Sequence, residues 1–274
     1  MTVISGDTLE GVSATTLWTL HYRATEAKRS DGVIRDPWAV TLLDTIAYDY
    51  LKFGKPNQSH ALRAAAFDEM TQGYLEAHPE ASVVALGEGL QTSFWRLNAA
   101  GCAAELTWYS IDLPPVMALR AQLLPHDDRI VRLAQSALDH SWMDRVDDSN
   151  GVFITAEGLL MYLEPEDAIG LIRECAARFP GGRMMFDNIP PWFSRRTVKG
   201  FKLSDRYSAP RMPFAMTPDD GLALAHSVPG VRSARDIKLP AGRGWFKLAA
   251  WPPLDRVGPL RRMRPSITLL EFDR

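Results

Sequence analysis

The sequence has little cysteine, no excess of positive charge and no long apolar run. Its two cysteines, Cys102 and Cys175, lie in apolar stretches that we expect to be helical, and neither has a Cys or His neighbour at metal-ligand spacing. We therefore predict two reduced thiols in the core and no metal site. The formal net charge of −2 offers no basic surface for nucleic acid. No apolar run approaches the roughly 20 residues of a membrane span.

Targeting signals and internal repeats are also missing. The first ten residues are polar and acidic, whereas a signal peptide is basic and then apolar. We therefore expect a cytoplasmic protein that acts on neither nucleic acid nor membrane. The sequence leaves the oligomeric state open, with a homodimer as one alternative.

The amino-terminal third predicts three helices. Ser13 is placed to cap a first helix that ends near Lys28, and Asp36-Pro37 begins a second that ends near Ile46. The third, over about 59–77, carries an apolar stripe at helical spacing. Such a stripe needs a partner surface, so these helices should pack against the rest of the chain.

From residue 82 onward, short apolar runs alternate with helical segments. This alternation predicts parallel βαβ units, and therefore an α/β fold with a seven-stranded, mostly parallel sheet covered by helices on both faces. Further helices are expected after Pro114, over about 165–179, from Thr217-Pro218-Asp219 and over about 245–254. The predicted strands are 83–86, 106–111, 129–133, 152–156, 183–186, 231–239 and 266–272.

A glycine pair follows the first of these strands. In Gly87-Glu88-Gly89 the missing Cβ atoms let the backbone approach a ligand closely. A dinucleotide fingerprint would need a third glycine at position 92, where Thr92 stands. A ligand without a pyrophosphate is therefore favoured, although an ordinary strand-to-helix turn explains the two glycines about equally well.

Two acidic residues end later strands. Asp112 lies 23 residues after Gly89, where doubly wound folds place an acid that accepts both ribose hydroxyls. The same residue would also serve as an N-cap for the helix that begins at Pro114. Glu157 ends the fourth strand, at the sheet edge where open α/β proteins bind ligands. It is either a partner for an ammonium or sulfonium group or a solvated loop acid.

These segments resemble the leucine carboxyl methyltransferase family, in particular bacterial O-methyltransferases of the tetracenomycin polyketide carboxyl methyltransferase type. Residues 86–97 are similar to the signature L-G-x-G-x-D-T-x-F-W-R-L, residues 112–116 to D-L-P-x-V, and residues 156–163 to A-E-G-x-L-M-Y-L. Residues 35–39 and 179–182 match as well. Several ordered motifs in register make the resemblance specific.

The resemblance implies a class I methyltransferase that uses S-adenosylmethionine. It places Gly87 at the methionine part of the cofactor, Asp112 at the ribose and Arg63 at the cofactor carboxylate, with Arg23 as a second basic clamp. The implied cofactor-binding residues are Arg23, Arg63, Gly87, Gly89, Asp112, Leu113, Ser136, Ala137 and Glu157.

Four positions depart from the family pattern. Gln91 replaces an aspartate, and Glu88 replaces a small residue, so we expect Glu88 to point into solvent. Ser136-Ala137 stands where the family has Asp-Leu beside the adenine. Ser136 or Asp139 would then make the adenine contact.

The resemblance runs from about Thr16 to the carboxyl terminus and is weakest between Pro190 and Val231, and we expect residues 1–274 to form one methyltransferase domain. We divide it into an amino-terminal helical cap (1–80), a cofactor-binding core (81–188), an inserted lid or substrate segment (189–230) and carboxyl-terminal strands with a helix that complete the sheet (231–274).

Methyl transfer to a small-molecule acceptor would depend mainly on proximity, since no catalytic triad or carboxylate pair is evident. O-methylation of a carboxylate or hydroxyl in secondary metabolism is favoured. The candidate acceptor-site residues are Tyr22, Tyr162, Trp192 and Tyr207, and we expect His21, His60 and His140 to be structural.

Three other functions remain as alternatives. C-methylation of an activated carbon uses the same displacement. An NAD(P)-dependent oxidoreductase is disfavoured by Thr92. A non-catalytic cofactor-binding module would fit the departures at Glu88 and Gln91.

Overall fold

A seven-stranded sheet forms the centre of the computed structural model, which describes residues 4–249 and 258–274. Its strands are Ser82–Leu86 (β1), Thr107–Asp112 (β2), Ile130–Ala134 (β3), Val152–Ala156 (β4), Arg183–Asn188 (β5), Val231–Ile237 (β6) and Ser266–Phe272 (β7). The strand order is β6-β7-β5-β4-β1-β2-β3. Strands β1 to β5 run parallel, and β7 is antiparallel to both of its neighbours.

The strand order places a topological switch between β1 and β4. From β1 the chain proceeds outward to β2 and β3, then returns to the other side of β1 as β4. In open α/β sheets a ligand crevice forms outside the carboxyl ends of the strands at such a point. Both central strands are buried along their whole length, as expected for parallel strands covered on two faces. The predicted α/β class and all seven predicted strands are confirmed.

Ten α-helices accompany the sheet within the described ranges. Their bounds are Thr15–Ala27 (α1), Pro37–Thr45 (α2), Ser59–Ala77 (α3), Ser93–Ala99 (α4), Pro114–Leu123 (α5), Pro165–Arg178 (α6), Pro191–Val198 (α7), Pro218–Ser227 (α8), Phe246–Ala249 (α9) and Gly258–Arg261 (α10). Short 3-10 helices occur at Gly6–Thr8, Tyr50–Phe53, His140–Arg145 and Leu160–Tyr162.

Capping residues explain where several helices begin. The Asp36 side chain accepts a hydrogen bond from the Ala39 amide at 2.9 Å and starts α2 as predicted. Thr217 and Asp220 form a reciprocal capping box at the start of α8. The prediction for α1 was wrong at its first residue. Its N-cap is Ala14, which makes no side-chain capping bond, so Ser13 lies outside the helix.

The two faces of the sheet carry separate hydrophobic clusters. Val83 and Ala85 of β1 pack into a cluster with apolar residues of α1 to α5. Val84 and Leu86 point to the opposite face and pack with residues of α6 and α8. Since successive side chains of a strand alternate between faces, one apolar strand supplies both clusters. The amino-terminal helices therefore cover one face of the sheet and extend over its carboxyl edge.

The segment between β5 and β6 carries α7, α8 and a short antiparallel pair, Lys202–Ser204 with Tyr207–Ser208. A second short pair is parallel and joins Ile4–Ser5 to Ile46–Ala47. The predicted helix over 245–254 is described only as α9, and its remainder lies outside the described residues.

The two cysteines differ in their surroundings. Cys175 is buried in α6 as predicted, whereas Cys102 lies beyond the end of α4 and is half-buried. The expectation of a helical core position for Cys102 was wrong because Ala99 ends the helix and Gly101 turns the chain with a φ of 79°. In the described ranges no helix is long and apolar enough to cross a membrane, and no cluster of three metal-binding side chains occurs.

Candidate active site

The glycine turn after β1 requires glycine at both of its positions. Gly87 and Gly89 have φ values of 59° and 58°, in the left-handed region that side chains rarely adopt. A Cβ atom at Gly87 would lie 2.8 Å from the Leu159 side chain, and one at Gly89 would lie 2.5 Å from the Thr16 hydroxyl. The backbone of this turn can therefore approach a ligand directly.

Asp112 at the end of β2 faces this turn. One carboxylate oxygen accepts from the Gly89 amide at 2.6 Å, and the other accepts from the Leu113 amide at 2.7 Å. Burial raises the pKa of Asp112, and the two amides only partly oppose this effect. The N-cap of α5 is Leu113, without a side-chain capping bond, so Asp112 does not cap that helix.

Glu88 lies beneath the turn instead of pointing into solvent, which corrects the prediction. Glu88 is only 6% exposed, and its carboxylate forms an ion pair with Arg120 of α5 at 2.8 Å. Trp108 donates to it at 3.2 Å, and Ser110 donates a second hydrogen bond. Burial raises the pKa of Glu88, while Arg120 opposes that rise. The expectation failed because the buried cation that holds Glu88 comes from a distant part of the chain.

Glu157, at the end of β4, belongs to a buried charge network. Its Oε1 accepts from Arg63 Nε at 2.9 Å and from Gln91 Nε2 at 2.6 Å. Arg63 Nη1 also donates to Asp187 at the end of β5, at 2.8 Å. Burial raises the pKa of Glu157, and the Arg63 guanidinium lowers it. An amide at Gln91 can donate to Glu157, which the aspartate of the family pattern could do only when protonated.

A cavity of about 840 Å³ opens at these carboxyl ends of the strands. It brings together most of the predicted cofactor-binding residues, and the acceptor-site candidate Tyr162 lines it as well. The predicted cofactor-binding residues in its wall are Arg63, Gly87, Gly89, Asp112, Leu113, Ser136, Ala137 and Glu157.

Arg23 does not line this cavity among the described residues. It is fully buried, with its Nε 2.9 Å from Asp36 and its Nη2 donating to the Leu90 carbonyl at 2.7 Å. Arg96 and Thr92 also bond to Asp36. Two segments of the family resemblance therefore meet at this aspartate, in a network that lies behind the glycine turn.

Three of the four acceptor-site candidates also lie outside the described cavity wall. Tyr22 donates to the Phe53 carbonyl at 3.0 Å. Trp192 is 37% exposed and donates to the Met263 carbonyl at 2.9 Å. Tyr207 packs edge-on against Phe53, with the ring centroids 4.8 Å apart. Asp139, the alternative adenine contact, accepts from Ser141 in the 3-10 helix and is absent from the wall as well.

The cavity wall contains residues that we did not expect from the sequence. Trp18 of α1, His60 of α3, Phe193 of α7 and Asp187 all contribute to it. Of these four residues, only His60 could have been assigned to the cavity from the sequence. It lies three residues before Arg63, so both side chains project from the same face of one helix.

Comparison with known proteins identifies the family of the chain. The sequence model of the leucine carboxyl methyltransferase family matches residues 16–176. The tetracenomycin polyketide synthesis O-methyltransferase TcmP of Streptomyces glaucescens is 30% identical over 227 residues, which cover 82% of each protein. The tRNA wybutosine-synthesizing protein 4 of Homo sapiens is 26% identical over 184 residues, 54% of this chain and 26% of that protein.

A crystal structure of a candidate methyltransferase from Thermobifida fusca YX shares the fold. It superposes with a TM-score of 0.51 at 18% identity, covering 92% of this chain and 94% of the other. This likeness shows the fold, whereas the family match over more than half of the chain and the similarity to TcmP define the cofactor and the class of reaction. The chain belongs to the leucine carboxyl methyltransferase family and is an S-adenosylmethionine-dependent methyltransferase.

Proposed function

We propose that this chain transfers a methyl group from S-adenosylmethionine to an oxygen atom of a small-molecule acceptor in secondary metabolism. The acceptor oxygen belongs to a carboxylate or a hydroxyl. One observation carries the proposal: the cavity that begins at the glycine turn continues past Arg63 to a wall that includes Trp18 and Phe193. Its volume of about 840 Å³ is near the upper end of small-molecule sites, so it has room for a second ligand beside the cofactor.

The residues at the glycine turn suit the nucleoside half of the cofactor. Within the described residues Asp112 receives two backbone hydrogen bonds, and burial raises its pKa, so additional hydroxyl donors would stabilise its ionised form. Ribose hydroxyls are such donors. The adjoining part of the cavity wall consists of Leu113, Ser136 and Ala137, which would contact the adenine.

The residues at the ends of β4 and β5 suit the methionine half. Both hydrogen bonds to Glu157 end on Oε1, so Oε2 takes part in neither and would face the ammonium or sulfonium charge. Arg63 lies between Glu157 and Asp187 and would bind the cofactor carboxylate. Arg23 would act indirectly, because its bond to the Leu90 carbonyl holds the loop that follows the glycine turn.

The reaction needs orientation more than acid–base chemistry. Bound S-adenosylmethionine supplies an electrophilic methyl carbon. The chain must align the acceptor oxygen with that carbon and exclude water. The aromatic part of the cavity wall would contribute to both. A carboxylate is already ionised at neutral pH, whereas a phenol with a pKa near 10 benefits from a base.

A small acceptor fits this chain better than a nucleic acid. Its formal net charge is −2, which provides no electrostatic attraction for a polyanion. The relative TcmP, by its name, acts in polyketide synthesis, and this chain covers most of it.

Calorimetry with S-adenosylmethionine and S-adenosylhomocysteine tests the cofactor site. We expect Asp112→Ala and Gly87→Asp to lose binding, and His140→Ala, outside the described cavity wall, to retain it. Unchanged affinity in both site variants would overturn the residue assignment.

Transfer of a radiolabelled methyl group tests the acceptor class. Wild-type protein should label members of a panel of small carboxylic acids and phenols but not a tRNA transcript. Labelling of the transcript alone would overturn the small-molecule proposal.

A further inference from the structure

His60 occupies the cavity wall one turn of α3 away from Arg63. Three residues of an α-helix advance about 4.5 Å, so its side chain lies close to that of Arg63, the residue proposed to bind the cofactor carboxylate. Trp18 and Tyr22 hold the ring edge-on, with centroids 5.4 Å and 5.2 Å from that of His60. The residue is half-buried and lines the cavity.

The imidazole carries no charge at neutral pH. Burial lowers the pKa of His60 well below its ordinary value, and the Arg63 and Arg23 guanidinium groups lower it further. In the described part of the chain, no hydrogen bond or ion pair engages either of its ring nitrogens. A neutral imidazole has one nitrogen that accepts a hydrogen bond, and here that nitrogen is available to a ligand.

Each cation that lines the cavity within residues 4–249 and 258–274 has an acidic partner, and two of the three share one. Arg63 contacts Glu157 and Asp187, while Lys238 lies 2.7 Å from Asp236. Arg264 also pairs with Asp236. A second carboxylate, beyond the one that the cofactor itself brings, would therefore have to compete with these acids. A hydroxyl would need only a neutral hydrogen-bond acceptor.

We propose that His60 is the general base of this enzyme and that its acceptor is a phenolic hydroxyl held against the aromatic wall of the cavity. This inference rests on the proposed methyl transfer and selects the hydroxyl over the carboxylate. As the acceptor oxygen bonds to the methyl carbon, the carbon–sulfur bond breaks and leaves its electron pair on sulfur. The phenolic proton passes to His60, which later releases it to solvent.

Burial and the two guanidinium groups disfavour a protonated imidazole by itself, but methyl transfer removes a neighbouring positive charge at the same time. Sulfur loses its positive charge in the same step in which the imidazole gains one, so the total charge inside the buried cavity is unchanged. Removing the proton during attack also avoids prior ionisation of a phenol with a pKa near 10.

The test uses 2-naphthol and 2-naphthoic acid as a matched pair of probes on the full chain. Wild-type protein should methylate 2-naphthol in preference to the acid. His60→Gln should lower kcat for 2-naphthol by about 100-fold, the low end of a general-base contribution, and leave S-adenosylhomocysteine affinity within a few fold. His21→Gln is the matched control. His21 has a lowered pKa caused by burial and stacks on Tyr50, but it is not in the described cavity wall.

A more acidic phenol separates a base from a structural role. 4-Nitrophenol is mostly ionised near pH 8.5, so His60→Gln should slow its methylation by only a few fold. An equal loss with both phenols would assign His60 to packing and overturn the proposal. A wild-type preference for 2-naphthoic acid, or no turnover of 2-naphthol, would also overturn it. Methyl transfer to another small acceptor would then still support the proposed function, whereas transfer to no small molecule would remove both.

Discussion

Arg120 pairs with Glu88 at 2.8 Å directly beneath the glycine turn, and both side chains are almost completely buried. The same guanidinium donates to the carbonyl oxygens of Gly89 at 2.7 Å and Gln91 at 2.8 Å. One cation therefore fixes both the acidic residue inside the turn and the backbone on its far side. The turn is therefore held from beneath by a buried ion pair.

Removing one partner of this ion pair should strongly destabilise the folded protein. Glu88→Ala leaves the Arg120 charge buried without its carboxylate, so we expect the free energy of unfolding to fall by about 3–5 kcal/mol. Urea denaturation measures the change. Lys28→Ala, which breaks an exposed pair with Asp44, should cost only about 0–1 kcal/mol. Similar losses in the two variants would contradict a stabilising role for the buried pair.

Asp36 should make the fold sensitive to acid. Burial alone would raise the pKa of Asp36, but the Arg96 and Arg23 guanidinium groups hold this pKa at about 2. An unfolded aspartate has a pKa of about 3.9, so the folded state binds fewer protons between these values. The stabilisation is complete above about pH 5 and is lost as the pH falls toward 2.

The measurement compares acid profiles of unfolding for wild type and Asp36→Asn. Between pH 5 and 2 the wild type should lose about 2 kcal/mol more than the variant. Asp44→Asn, at an exposed aspartate, should retain the wild-type profile. Parallel profiles for wild type and Asp36→Asn would show that another group controls the acid response.

Gly87 should matter for cofactor binding and not only for backbone freedom. In Gly87→Ala the new Cβ meets Leu159 at 2.8 Å and displaces a residue of the cavity wall. Gly101→Ala is a matched control, because Gly101 also has a positive φ of 79° but no atom within 4 Å of its Cβ position.

Both alanine variants should lose about 1–2 kcal/mol of stability through backbone strain. Only Gly87→Ala should also lose S-adenosylhomocysteine affinity, by about tenfold or more. Equal affinities in calorimetry would show that the turn tolerates a side chain at Gly87.

Arg63 should be required as an arginine. It donates through Nε to Glu157 and through Nη1 to Asp187, and a lysine cannot reproduce this pair of directions. Arg63→Lys should weaken S-adenosylhomocysteine binding by about tenfold, and Arg63→Met by about 100-fold or more, since it leaves two neighbouring acids without a cation. Arg178→Met, which removes an exposed pair with Asp148, should not change the affinity. Full affinity in Arg63→Met would contradict the proposed carboxylate contact.

Local sequence patterns were sufficient to predict the strands of the sheet and the site residues at the carboxyl ends of those strands. Parallel strands end at the same side of a sheet, so the spacing of Gly87, Asp112 and Glu157 already predicted that they share a cavity. The helix α3 over residues 59–77 followed from its apolar spacing and is observed with those bounds. These features depend on residues close together in sequence, where strand alternation and helical periodicity are visible.

Tertiary packing decided which charged residues face the ligand. Arg23 and Arg63 are both arginines on amino-terminal helices, yet Arg23 turns to Asp36 and only Arg63 reaches the cavity. Glu88 is buried because α5 brings Arg120 beneath it. His60 entered the site because α3 packs across the sheet edge. Each outcome depends on an ion pair or helix orientation between distant segments, which local periodicity does not encode.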